Sequence, residues 1–121
     1  MSVLVWIGVA VLGGVGALGR FALDGAVSAR FGRDFPLGTL AVNVSGAFLL
    51  GVLFGAALHD DAYLLAGTAV LGSYTTFSTW MLETQRLGED GETRGLALNI
   101  ALSIAVGLAA AELGRLLGGL L

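Results

Sequence analysis

The chain has 121 residues, of which 56% are hydrophobic and 12% charged, and its mean hydropathy is +0.89. That describes one domain, too apolar for a water-soluble fold. A net charge of −3 with no lysine argues against a nucleic-acid surface, and the absence of cysteine excludes disulfides and thiolate metal sites.

Four stretches carry no charge: residues 1–19, 35–58, 62–82 and 95–111. About 20 apolar residues span a bilayer. The pattern therefore predicts a single four-helix transmembrane domain over residues 1–121, with helices at about 3–23, 37–58, 62–84 and 95–118. The connections are short, so neighbouring helices run antiparallel. The first run has no charged segment before it and no convincing cleavage site after it, which predicts a retained membrane helix rather than a signal peptide.

Helix one contains GGVGALGR, whose small residues let another helix come close. Arg20 closes it, either snorkelling to the headgroups or acting as a fixed positive charge that draws anions. The connection DGAVSARFGRDFP predicts a short interfacial helix, with Pro36 in the first turn of helix two. Helix two, LGTLAVNVSGAFLLGVLFGAAL, holds Asn43 mid-membrane, one turn after Thr39. Its amide suits an interhelical hydrogen bond, or it offers N–H donors to a passing species. His59 sits beside Asp60 and Asp61 at a solvated end.

Helix three is the unusual element. LGSYTTFSTWM places four hydroxyl residues, Thr75, Thr76, Ser78 and Thr79, just after Gly72 and Ser73. Gly beside hydroxyl residues predicts a broken helix that starts at Gly72. Irregular backbone at membrane depth is tolerated only where it is buried or lines a cavity, and its freed carbonyls can coordinate a cation. Phe77 and Trp80 are three apart and share a face, where they pack or present positive ring edges. In helix four, Asn99, Ser103 and Gly107 form a stripe at four-residue spacing. Glu112 and Arg115 mark the water interface. Four thin helices enclose little alone, which predicts at least a homodimer.

GGVGALGRF (13–21), FPLGTLAVNVSGAFLLG (35–51) and GSYTTFSTW (72–80) occur in this order across nearly the whole chain. In these blocks the sequence resembles the Fluc (CrcB) family of fluoride channels. The resemblance implies an all-α integral membrane protein, with a broken third helix and two subunits inserted antiparallel as a dual-topology homodimer. It implies a structural sodium ion at the dimer centre, held by backbone carbonyls of Gly72 and Thr75. It places pore aromatics at Phe77 and Trp80, a pore asparagine at Asn43 and a helix-four serine at Ser103. A hydroxyl track draws on Ser78 and Thr79, Arg20 forms an anion vestibule, and a helix-three glutamate falls on Glu83.

One departure is Trp80, where the family usually has phenylalanine; its indole adds an N–H donor. Another concerns insertion. Arg30, Arg33, Arg86 and Arg94 lie on one side of a four-helix layout and Arg115 on the other, which favours one orientation, N-terminus out. Either acidic residues blunt that bias, or the chain pairs with a homologous, oppositely inserted subunit. The expected function is passive export of cytoplasmic fluoride across the plasma membrane, in contact with lipid and without catalysis. The alternative, a proton-coupled small multidrug-resistance transporter, needs an acid within helix one, and none precedes Asp24.

Overall fold

A computed structural model describes residues 1–121, and every regular element in it is helical. Helix α1 runs from Val3 to Phe31, opened by Ser2, whose hydroxyl accepts the Val5 N–H at 3.2 Å. It ends at Gly32, whose positive φ of 81° suits a residue without Cβ and whose N–H closes on Ser28 O. The 24–31 segment is thus no separate interfacial helix but the continuation of α1. Helix α2 spans Leu37–Gly55 and helix α6 Thr93–Gly118. These three helices are long and apolar enough to cross a membrane.

The fourth apolar segment is not one helix. Helix α3, Asp60–Tyr63, passes into a π-helix over Leu64–Leu71 and then into the three-residue α4, Gly72–Tyr74. The chain leaves helical geometry at Thr75 and resumes as α5, Ser78–Glu89.

The helices meet largely through main chain. On α2, a Cβ added to Gly51 or Gly55 would come closer than 3.0 Å to the carbonyls of Ala111 and Arg115 on α6. Gly114 and Gly118 on α6 stand in the same relation to Phe48 O and Val52 O. The glycines sit four apart on both helices, so the contact is reciprocal over about two turns. Gly16 of α1 meets Val70 O of the π-helix in the same way.

The buried side chains are as often polar as apolar: Thr39, Thr76, Thr84 and Asn99 against Val42, Ala69, Leu71 and Leu87. Large apolar side chains such as Leu4, Phe21, Phe54 and Leu108 point outward. That is the distribution expected where the surrounding medium is hydrocarbon and the helices are joined by close packing and hydrogen bonds.

Candidate functional site

The interruption at Thr75–Phe77 is built by a side chain from another helix. Asn43 donates from Nδ2 to Thr76 O at 2.8 Å and accepts the Thr76 N–H on Oδ1 at 2.8 Å. A primary amide matches a peptide edge, so it satisfies both main-chain groups of a residue that has left the helix. Thr75 is extended, with φ −80° and ψ 159°. The Thr76 hydroxyl then accepts the Thr79 N–H at 3.2 Å and so caps α5, while donating to Thr79 Oγ1 at 3.1 Å.

Two carbonyls lose their helical partners as a result. The Thr76 N–H that would close on Gly72 O goes to Asn43, and the Thr79 N–H that would close on Thr75 O goes to Thr76 Oγ1. Gly72 itself is not the break. It has helical φ and ψ of −63° and −35°, and chain geometry changes three residues later. What Gly72 contributes is bare backbone: nothing lies within 4 Å of where its Cβ would stand. Together with Asn43 and Thr75 it lines an apolar groove of about 420 Å³.

Beyond the break, Phe77 is 71% exposed and stands edge-on to Trp80, with ring centroids 5.7 Å apart and planes at 74°. The Trp80 indole N–H is not free for a passing anion. It is donated to Asn99 O on α6 at 3.2 Å, so only the ring edge remains to be offered. Ser78 is exposed, whereas Thr79 and, on α6, Ser103 are half-buried.

The family model described as CrcB-like protein, Camphor Resistance (CrcB), matches residues 7–115, which include this whole constellation. The chain belongs to the CrcB family. A relative named fluoride-specific ion channel FluC 2, from Mycolicibacterium paratuberculosis (strain ATCC BAA-968 / K-10), is 60% identical over 119 residues, 98% of each chain. A protein of the same name from Mycobacterium bovis is 56% identical, covering 95% of this chain and 91% of the relative. In Geobacter sulfurreducens, a fluoride-specific ion channel FluC is 48% identical over 103 residues, 81% of this chain and 83% of that one.

In this CrcB chain, Arg20 is half-buried and borders a cleft of about 330 Å³ with Asp24, Thr39, Thr76 and Thr79. The ion pairs are Arg33–Asp24 at 3.8 Å and Arg115–Glu112, so the Arg20 charge is unpaired. Asp24 lies one turn beyond Arg20 and was not foreseen in the cleft. Glu83 is separate from the aromatic pair: it borders a third cleft with Arg33 and Arg86, and its Oε1 is buried without a hydrogen bond.

Sequence reasoning passed over Thr76, which both receives the Asn43 clamp and caps α5. Its signal was its place between two residues singled out, Thr75 and Phe77. Thr84, a buried hydroxyl one turn after Trp80, was also missed. Asn99, which shares a face of α6 with Ser103, donates across to Thr84 on α5 at 2.9 Å.

Proposed function

We propose that this CrcB chain is one subunit of a passive fluoride channel of the plasma membrane. The observation that carries this is the 60% identity over 98% of both chains to a relative named a fluoride-specific ion channel. The geometry supports it. Fluoride is small and strongly hydrated, so a path must replace its water with donors and positive ring edges. Arg20 supplies an unpaired charge beside the cleft that reaches Thr76 and Thr79. Thr79 accepts from Thr76, which leaves its own hydroxyl proton to donate. Asn43 uses one of its two amide N–H bonds on Thr76 and keeps the other. Phe77 and Trp80 add ring edges, and Ser78 and Ser103 further hydroxyls.

The segmented run Asp60–Glu89 completes a fourth membrane crossing, and two subunits pair antiparallel through the face that carries it. The exposed Phe77 and the groove along Gly72 and Thr75 support this pairing, since a single subunit leaves both uncovered. Sodium fits the centre of that dimer. Carbonyl oxygens suit a hard monovalent cation, and those of Gly72 and Thr75 have lost their helical amides. When bound, the ion would fix the two breaks against each other; the anion path itself runs on other groups.

Purified protein in liposomes loaded with fluoride tests the function. A fluoride electrode outside should record rapid efflux once the charge imbalance is relieved by an ionophore. Efflux no faster than from protein-free liposomes would overturn the proposal. With a large organic cation replacing all alkali metal, efflux should fall; an unchanged rate would remove sodium from the account.

A further inference from the structure

Behind the aromatic pair lies a closed ring of hydrogen bonds. Trp80 donates its indole N–H to Asn99 O at 3.2 Å, Asn99 donates from Nδ2 to the Thr84 hydroxyl at 2.9 Å, and that hydroxyl donates to Trp80 O at 2.7 Å. The ring begins and ends on Trp80 and grips its side chain and its main chain together. Asn99 is 1% exposed and Thr84 6%, so the bond between them is shielded, and breaking it strands a buried polar group. Turning the indole breaks the first bond; sliding α6 along α5 strains the first and second together.

Ser103 follows Asn99 by one turn on the same face of α6. The ring of bonds therefore ties Trp80 to the stretch of α6 that carries Ser103. We propose that Thr84 and Asn99 are positioning residues that hold the spacing between Trp80 and Ser103, and with it the preference for fluoride over chloride. A wall that cannot yield solvates the small ion and leaves the larger one unmatched, whereas a wall that yields adapts to both. The inference rests on the channel function proposed above.

The test measures fluoride and chloride efflux from the same liposomes. Thr84→Val keeps the shape and removes the hydroxyl, which should lower the fluoride-to-chloride ratio about tenfold, equivalent to roughly 1.4 kcal/mol. Thr84→Ser keeps the hydroxyl and should restore the ratio. In a Trp80→Phe background the indole bond is already gone and only the Asn99–Thr84 and Thr84–main-chain bonds remain to be lost, so adding Thr84→Val should lower the ratio by less than it does in the parent. With Trp6→Phe, Trp80 is the sole indole, and its emission should shift with Thr84→Val and not with Thr84→Ser. Should Thr84→Val fail to fold, Asn99→Ala breaks the same bond from its other end and carries the same expectation. A parental ratio in Thr84→Val, or an equal fall in the Trp80→Phe background, overturns the proposal. If the parent releases no fluoride, the channel function fails and the selectivity role fails with it; the emission measurement then still judges the hydrogen-bonded ring.

Discussion

Asn43 stands mid-helix on α2, and both ends of its amide are engaged with the main chain of Thr76, 33 residues away. Asn43→Asp keeps the shape and one acceptor, but sets an oxygen against Thr76 O where a donor stood, and adds a charge that repels anions. An unsatisfied group of this kind costs about 1–3 kcal/mol. Fluoride efflux should fall by about tenfold or more, measured with the electrode on dimer that still elutes normally. Phe77→Ile asks a different question of the exposed ring. It retains apolar bulk and removes the positive edge, so efflux should again drop by about tenfold if the edge contacts the anion. Parental efflux from both variants would move the path off this face while leaving family membership intact.

Between α2 and α6 no side chain can yield, because each added Cβ would meet a carbonyl of the other helix. Gly51→Ala or Gly114→Ala must push the helices apart, at about 1–3 kcal/mol or more. Both should lower the thermal midpoint in detergent. Gly25→Ala in α1 should act in the opposite sense: its Cβ meets nothing within 4 Å, and alanine favours helix by up to roughly 1 kcal/mol. Elements of this kind were partly legible in the sequence. The charge-free runs 35–58 and 95–111 overlap α2 and α6, which the structure bounds at Leu37–Gly55 and Thr93–Gly118. Such runs missed the continuation of α1 to Phe31, because Asp24 and Arg30 show where lipid ends, and a helix can run on into water. The hydroxyl cluster overlaps the residues between α4 and α5 that lie outside helical geometry. The start of the break at Thr75 rather than Gly72 was not readable, because the group that sets it, Asn43, is on another helix. The hydroxyls of Thr76 and Thr84 were visible as residues, but their partners exist only once α2, α5 and α6 are together.

At the scale of the whole molecule, the proposed antiparallel pairing makes a geometric demand that cross-linking can meet or refuse. Single-cysteine variants, introduced into a chain that has no cysteine of its own, should place the two N-termini on opposite membrane faces. Labelling of both N-termini from one face only would rule the arrangement out. The Arg30, Arg33, Arg86 and Arg94 distribution makes this the sharpest test, since that bias alone favours a single orientation. The interior, where glycine backbone and hydrogen-bonded Thr and Asn replace a greasy core, has a consequence for how the gene can drift. In a saturation substitution library, tolerance should read inside out relative to a soluble protein. Outward positions such as Leu4, Phe21 and Leu108 should accept almost any hydrophobic residue. The intolerant sites should be those with the least side chain to lose: Gly51, Gly55, Gly114 and Gly118.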